Sequence, residues 1–365
     1  MKKKAMIFCI LALASGITFG DKVETENEFL IFGSYFDFKN QSSNNSKRNV
    51  KNISVSDQTP SEIVPPVITP PVVIPPSPVT TSFTVVKENG VEVAKKSVTG
   101  EILNYIIPEN ISSIDQSALW VSDKNTSVYN SKMLSSNFVS GLIDAAVKVE
   151  KEAYFENNGV IHGNGMGVQV SEGSFFRNNG EVGSLFSAAI SVIGTNSIAV
   201  NDTAGVMSGG FSISNEAIGI NNGIISGGKR IGMAISNGIG VNNGIISSNE
   251  NFGMSILNGI GRNNGIISNN ESRGMFISSG TGENWGTISN NGNMGMDIFD
   301  GIGINETTGL ISNSGKYGMY ILKGDGINKG TISNTNDYGM YLSDGYTLYT
   351  PNGEGINDFT GIISN

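Results

Sequence analysis

The same pattern of residues recurs every 21 positions over the C-terminal part of the chain. Residues 240–260 read GVNNGIISSNENFGMSILNGI, and residues 261–281 read GRNNGIISNNESRGMFISSGT. A fixed period of this length is typical of solenoids, in which each repeat packs only against the repeats before and after it. The repeat therefore constrains the fold more than any single motif does.

The composition of the repeat excludes a helical solenoid. The chain holds 48 glycines among 365 residues, and Gly and Asn recur in every repeat, where they would interrupt an α-helix. Short apolar runs lie between them. In the GIIS run the second apolar position is always hydrophobic, whereas the first admits Thr287, Thr331 and Glu181. Such alternation predicts a strand whose second position faces the interior.

The GMxI run alternates in the same way. Its Met and its Ile or Leu are predicted to face inward, and the residue between them is predicted to face outward. The outward residues are Ala234, Ser255, Phe276, Asp297, Tyr320 and Tyr341. The inward residues are Met233, Met254, Met275, Met296, Met319 and Met340, with Ile235, Ile256, Ile277, Ile298, Ile321 and Leu342.

Three short strands and three turns in 21 residues predict one coil of a parallel β-helix. Left-handed β-helices use multiples of six residues, so the period favours a right-handed, single-stranded parallel β-helix. A propeller blade would need about 40 residues per repeat. We therefore predict an all-β solenoid preceded by a disordered N-terminal stalk.

An Asn precedes the Gly of the GIIS run by two residues, or by four where the turn is longer. In a parallel β-helix equivalent residues stack about 4.8 Å apart, so each Asn amide can bond the amides above and below it. Asn also tolerates the left-handed backbone of a sharp turn. We expect one structural ladder formed by Asn157, Asn178, Asn201, Asn221, Asn242, Asn263, Asn284, Asn305, Asn328 and Asn357.

The N-terminal part of the chain has a different composition. Residues 1–20 join three lysines to a short apolar run, which predicts a secretory signal peptide, and Cys9 within it is the only cysteine. Residues 21–59 are predicted to be polar and largely disordered, and residues 60–78 form a proline-rich linker. Residues 79–136 are predicted to be an irregular β-rich start or an N-terminal cap. Residues 137–365 form the β-helix repeats.

These features together resemble the passenger region of bacterial autotransporters, and more loosely exported repeat proteins of Gram-negative bacteria. The resemblance rests on the signal peptide, the lack of cysteine after it and the repeats of residues 137–365. It implies an exported, adhesin-like protein at the cell surface, in the outer membrane or outside the cell. Its partner would be a protein or glycan on a host or neighbouring bacterial cell.

Autotransporters cross the outer membrane through a C-terminal barrel, whereas this sequence ends within a repeat at residue 365. We expect the native protein to continue beyond this point. An open last coil presents unpaired backbone groups, so self-association through this coil is expected. Without a translocator the protein would remain in the periplasm.

Several other functions are not expected. The net charge of −9 and the absence of a basic patch argue against a nucleic-acid partner. No apolar run after the signal peptide is long enough for a transmembrane segment. No His or Cys cluster has the spacing of a zinc site, and no cofactor motif stands out. His162 takes the place of the Ser in one GIIS run.

A carbohydrate-active enzyme, a polysaccharide lyase or glycosidase, is the alternative function, since such enzymes also use β-helices. It would need paired carboxylates on one face. The candidate acids are Asp297, Asp300, Asp325, Asp337 and Asp344. They occupy different positions in their repeats, so we expect no catalytic residues and no enzymatic activity.

Aromatic residues are the candidates for binding. Phe276, Tyr320 and Tyr341 share the outward position of the GMxI run and predict an exposed aromatic patch. Tyr346 and Tyr349 lie in an inserted segment, YTLYTPNG, and loops on a rigid scaffold often carry binding.

Overall fold

The computed structural model describes residues 85–88, 91–94, 97–98, 104–114, 117–137, 145–333, 335–343, 354–357 and 361–364. The predicted signal peptide, polar segment and proline-rich linker lie outside these residues.

The described chain is a right-handed parallel β-helix of about 11 turns, which confirms the predicted fold class. It contains strands, turns and bends but no helix, so no described helix has the length and apolar character that a membrane crossing requires. A first hairpin pairs antiparallel, and all later pairings are parallel.

The strands share short lengths of mostly three to six residues. In chain order they are β1 Val85–Glu88, β2 Val91–Ala94, β3 Ser97–Val98, β4 Tyr105–Ile106, β5 Ile111–Ser113, β6 Leu119–Ser122, β7 Ser127–Asn130, β8 Met133–Ser136, β9 Ala145–Glu150, β10 Tyr154–Asn157, β11 Val160–Gly163, β12 Met166–Val170, β13 Phe175–Asn178, β14 Glu181–Ile193, β15 Ile198–Asn201, β16 Val206–Ser214, β17 Ile218–Asn221, β18 Ile224–Ser226, β19 Ile231–Ser236, β20 Ile239–Asn242, β21 Ile245–Ser247, β22 Phe252–Ile256, β23 Gly259–Asn263, β24 Ile266–Ser268, β25 Arg273–Ile277, β26 Gly280–Asn284, β27 Thr287–Ser289, β28 Met294–Ile298, β29 Ile302–Asn305, β30 Leu310–Ser312, β31 Tyr317–Ile321, β32 Asp325–Asn328, β33 Thr331–Ser333, β34 Tyr338–Leu342, β35 Glu354–Asn357 and β36 Ile362–Ser364.

Each regular coil contributes three strands, as β20, β21 and β22 do. The first ends in the ladder Asn and belongs to a 12-stranded sheet, which we call the Asn sheet. The second is the GIIS run and the third is the GMxI run. These two stack in separate rows, but the long strands β14 and β16 span both rows and join them into one 22-stranded sheet.

The register places like residues on like residues. Met233 pairs with Met254 and Ile235 with Ile256 in the parallel ladder between β19 and β22. These side chains are at most 1% exposed, as are their equivalents through Met319 and Ile321. The inward positions predicted from the alternation are therefore confirmed over these coils.

The interior is only as wide as one Ile or Met side chain. In the Asn sheet the inward residue of a regular coil is Gly, as at Gly240, where a Cβ would lie 2.4 Å from Ile235 Cδ1 and 3.0 Å from Met233 Sδ. The side chains of the GMxI run therefore reach the opposite backbone. In earlier coils Phe155 and Phe176 occupy the Gly position and stack on each other.

Parallel stacking begins before residue 137, where the repeat in the sequence begins. Strand β3 pairs with β6, and β6 pairs with β9. The step from Leu119 to its partner Val147 is 28 residues instead of 21. Longer connections therefore conceal the period of the first coils, although their strands stack in the same way.

The ladder asparagines lie in one row at the corner after the Asn sheet. Each side-chain Nδ2 donates a hydrogen bond to Oδ1 of the Asn one coil further along the chain, at 2.7 to 2.8 Å. The row continues back to Asn130, which donates to Asn157. From Asn157 to Asn328 the ladder members are fully buried. All the amides point the same way, so their dipoles polarise one another.

A second, shorter ladder lies at the corner after the GIIS run, which the sequence analysis did not predict. Asn249 Nδ2 donates to Asn270 Oδ1 at 2.8 Å, and Asn270 Nδ2 donates to Asn291 Oδ1 at 2.9 Å. The next coil carries Ser314 at this position. Asn291 Nδ2 and Ser314 Oγ are both buried and have no hydrogen-bond partner among the described residues. The second ladder therefore ends with an unsatisfied step.

Substitution Asn263→Leu should lower the free energy of unfolding by about 1–3 kcal/mol, because it removes the buried hydrogen bonds from Asn242 Nδ2 to Asn263 Oδ1 and from Asn263 Nδ2 to Asn284 Oδ1. Urea unfolding followed by circular dichroism measures this change. Asn264→Leu is the control, since Asn264 makes its amide contact with Asn243 at the exposed corner. Equal losses for the two variants would contradict a special role of the buried ladder.

Substitution Ser314→Asn should raise the free energy of unfolding by about 0.5–1.5 kcal/mol, because an amide at this position can accept from Asn291 Nδ2. The same urea titration measures it. Ser312→Asn, two residues away in β30, offers no such acceptor to the second ladder and should give no gain. A loss of stability in Ser314→Asn would show that this corner cannot hold a longer side chain.

Candidate binding face

Four tyrosines form an array on the outer surface of the GMxI row. They are Tyr317 and Tyr320 of β31 and Tyr338 and Tyr341 of β34, and we call them the tyrosine tetrad. The register pairs Tyr317 with Tyr338 and Tyr320 with Tyr341. Each strand thus supplies two rings, and each ring has its counterpart on the next coil.

The rings of the tetrad contact one another in both directions. Along the rod axis the centroids of Tyr317 and Tyr338 lie 6.1 Å apart and those of Tyr320 and Tyr341 lie 5.7 Å apart, with nearly parallel planes. Within each strand the two rings are tilted, with centroids 5.3 Å apart. These separations lie in the range of favourable aromatic pairs. The packing restricts the rotamers of all four side chains.

The tetrad is accessible to solvent. Tyr338 is 54% exposed, and the other three rings are partly exposed. Stacking between successive coils covers one face of each ring. Crowding desolvates the Tyr317 hydroxyl and raises its pKa, and repulsion from Tyr341 and Asp337 adds to the effect. The Tyr317 hydroxyl is therefore a neutral donor and acceptor near pH 7.

Tyr320 and Tyr341 were predicted from the sequence, but Tyr317 and Tyr338 were not, because alternation makes only the residue between Met and Ile outward. In β31 and β34 both the Gly and the Met after the first Tyr face inward, and a Cβ on Gly318 would lie 2.3 Å from Ile332 Cγ2. Because two successive residues face inward, the Tyr at the first position and the Tyr at the fourth position of each strand lie on the same outer face. The recurring YGMY sequence was the available signal.

Phe276 does not belong to an exposed patch, although the sequence analysis placed it there. It is only 5% exposed and stacks on Phe252, with ring centroids 5.3 Å apart. Arg273 covers both rings, and its Cζ atom lies 5.0 Å and 5.1 Å from their centroids. Contacts of this kind stabilise the cation. Phe276 therefore faces outward from its strand but is covered by Arg273, which occupies the first position of the same strand.

Asp297 separates this covered cluster from the tetrad. It occupies the same row as Phe276 and Tyr320 and is 5% exposed. Its Oδ2 lies 2.6 Å from Arg273 Nε, but the N–H is not aligned for a hydrogen bond. Burial raises the pKa of Asp297 to about 6, although the Arg273 charge opposes the shift. A carboxylate here is costly because the cation beside it stabilises it incompletely.

The other candidate residues are dispersed. Tyr346 and Tyr349 lie outside the described residues, as does Asp344. Asp325 lies on the Asn sheet, aligned with Ile302, and so on a different face from Asp297. His162 is partly exposed and aligns with Ser135 in the Ser position of the GIIS row. In the described part of the chain, no group of three or more His, Cys, Asp or Glu is arranged to hold a metal ion.

Comparisons of the chain with protein-family models, with curated proteins and with solved structures found no match.

The raised pKa of Asp297 gives stability a defined pH dependence. Because the folded-state pKa of about 6 lies above the ordinary value of 3.8, folding takes up a proton between these values. The contribution of Asp297 is present below pH 4 and is lost as the pH rises to about 6. Asp297→Asn stays neutral, so its melting temperature relative to the unsubstituted chain should rise from pH 4 to pH 6 and then level off. A difference that is constant from pH 4 to pH 8 would contradict the raised pKa.

Proposed function

We propose that this chain is an exported, adhesin-like interaction protein that binds a partner on a host or neighbouring cell through the tyrosine tetrad. The observation that carries the proposal is the packed array of four partly exposed tyrosines on adjacent coils. Tyr is among the residues that contribute most to binding where they cluster on a surface.

The rings of the tetrad are held in a rigid arrangement. A tyrosine has two side-chain torsions, so it offers a large contact area at a low cost in conformational entropy. In the tetrad each ring is held by two or more others, and the strands beneath belong to a continuous parallel ladder. Binding of a partner therefore costs little further side-chain conformational entropy.

The outward chemistry favours a protein partner. Stacking between the coils covers one face of each ring of the tetrad, which leaves less aromatic face for a sugar ring to stack on. Edges with hydroxyls can combine apolar contact with hydrogen bonds to backbone groups of a partner. A glycan is the other partner class that the resemblance to autotransporter passengers implies.

The proposed location follows from the N-terminal sequence. Residues 1–20 have the composition of a secretory signal peptide, and no cysteine follows Cys9. These features support a place at the cell surface, in the outer membrane or outside the cell. The periplasm is proposed for a chain without a translocator.

A carbohydrate-active enzyme is the second candidate, because Asp297 has the raised pKa expected of a general acid. A glycosidase needs a second carboxyl group about 5–10 Å away. From Phe252 to Tyr341 the two outward rows of the GMxI face carry no other carboxylate. The enzyme proposal therefore has less support than the binding proposal.

The tetrad can be removed with residues that other coils already carry at these positions. Tyr317→Ile and Tyr338→Ile follow Ile231, and Tyr320→Ser and Tyr341→Ser follow Ser255. The fourfold variant should fold and should bind intact cells at least ~30-fold more weakly than the unsubstituted chain, as expected for a cluster worth 2 kcal/mol or more. Flow cytometry with labelled protein measures this.

The control variant carries Ile224→Ser and Ile245→Ser, two exposed residues of the GIIS row. It should bind cells like the unsubstituted chain. Pretreating the cells with protease should abolish binding, and pretreatment with glycosidases should not. Equal binding by the fourfold variant and the unsubstituted chain would show that the tetrad is not the binding face.

A further inference from the structure

The outer surface of the Asn sheet has an unusual composition. In the four-residue strands the first and third residues face outward and the second and fourth are buried, and the five-residue strands β23 and β26 have the same pattern after an additional Gly at the start. Over the regular coils the first outward row is Ile198, Ile218, Ile239, Ile260, Thr281 and Ile302. The second row is Val200, Ile220, Val241, Arg262, Glu283, Ile304 and Ile327. We call these two rows the aliphatic face.

The aliphatic face has few hydrogen-bonding groups. Apart from Thr281 and the pair of Arg262 and Glu283, every side chain in it is Ile or Val, and most are partly exposed. A ligand that depends on hydrogen bonds would find few partners here. A flat, apolar partner surface would fit this face, since burial of aliphatic area is the main source of binding free energy that the face can provide.

The two rows are nearly symmetric about a line between the coils of Arg262 and Glu283. An aliphatic residue on one side of this line corresponds to an aliphatic residue at the same distance on the other side, except that Ile260 corresponds to Thr281. The pairs are Val241 and Ile304, Ile220 and Ile327, Ile239 and Ile302, and Ile260 and Thr281. The symmetry ends at Ile218, which corresponds to the exposed Asp325.

We infer that the aliphatic face docks a second copy of this chain, with the two rods antiparallel. A twofold axis along the strand direction, midway between the coils of Arg262 and Glu283, lays the face on itself. Each Arg262 then lies opposite Glu283 of the second copy, and aliphatic residues lie opposite aliphatic residues. An interface of this kind uses the same patch on both subunits.

The charged pair selects the register of this docking. Within one chain Arg262 Nε donates to Glu283 Oε2 at 2.8 Å, and both side chains are partly buried. In the antiparallel arrangement the four charges alternate in sign, so each Arg lies between two carboxylates. A shift by one coil would place Arg262 opposite Arg262, or Glu283 opposite Glu283, and would cover the other member of the pair with an aliphatic side chain.

The size of the face sets the expected affinity. Six coils at a spacing of about 4.8 Å and strands about 13 Å long give roughly 400 Å² per copy. The total of roughly 800 Å² is below the ~1,200 Å² at which stable interfaces begin. The dimer should therefore be weak in solution, with association measurable above about 100 μM.

The GIIS row does not offer the same match. Its outward residues Ile224, Ile245 and Ile266 are about 40% exposed, but the other outward row of this face is a row of serines. It therefore supplies a control position of similar exposure on another side of the rod.

Sedimentation velocity over a concentration series tests the docking. The full chain should shift towards a dimer as its concentration rises, and Val241→Lys should weaken this association at least ~10-fold. Ile245→Lys on the GIIS row should leave the association unchanged. A full chain that stays monomeric at the highest soluble concentration, or equal effects of the two lysine variants, would overturn the inference.

The charged pair allows a test that distinguishes contacts between two chains from a role within one chain. Arg262→Glu alone and Glu283→Arg alone should each abolish association, because like charges meet across the interface. Mixing the two variants should restore it, since each Glu then meets an Arg of the other chain, although neither chain regains its internal ion pair. A mixture as monomeric as its components would overturn the inference.

Cross-linking fixes the orientation of the two copies. In a Cys9→Ser background, chains with Val241→Cys should be joined by a short bis-maleimide to chains with Ile304→Cys. Val241→Cys chains alone should not be joined, because their cysteines would be about 14 Å apart along the rods. Efficient joining of Val241→Cys chains to each other would show a different orientation and contradict the antiparallel dimer.

Discussion

The hydrogen bond between stacked Asn amides is the interaction on which the rest of the structure depends. Each ladder amide is fully buried from Asn157 to Asn328, and it donates to the amide oxygen of the next coil as well as to backbone carbonyls of the adjoining turn. A coil displaced along the strand by one residue would leave a buried amide unpaired, at a cost of about 1–3 kcal/mol. The ladder therefore fixes the register of the coils from Asn130 to Asn357, even where the step between coils lengthens from 21 to 23 residues.

A fixed register turns the variable positions of the repeat into continuous surface rows. Inward positions hold the same residue types in coil after coil, because Met and Ile span an interior bounded by Gly backbones. Outward positions are free to vary, and neighbouring coils combine their differences. Arg273 and Asp297 meet in this way, as do Arg262 and Glu283 and the two Tyr pairs of the tetrad. Clusters of interacting side chains on the surface of this rod are therefore formed by residues of adjacent coils.

The sequence was sufficient for the fold because period, alternation and turn residues all agreed. It was insufficient to show whether an outward side chain is exposed to solvent or covered by a neighbouring side chain. Phe276 has the outward position that alternation predicts, yet Arg273 and Phe252 cover it, and a period-two pattern contains no information on such coverage. Tyr317 and Tyr338 were missed because Gly lets two successive residues face inward. The repeat was recognised only from residue 137 because the steps between the earlier coils are longer than the period.

The aliphatic face and the tyrosine tetrad lie on different sides of the coil, so docking through one leaves the other accessible. In an antiparallel dimer the twofold axis passes between the coils of Arg262 and Glu283, and each tetrad lies two to three coils beyond it. The two tetrads would then be on the order of 25 Å apart along the rods. Two sites held at a fixed spacing bind a surface that displays many copies of a partner more tightly than either site alone. A weak dimer and a weak single site can in this way yield firm attachment where the partner is dense.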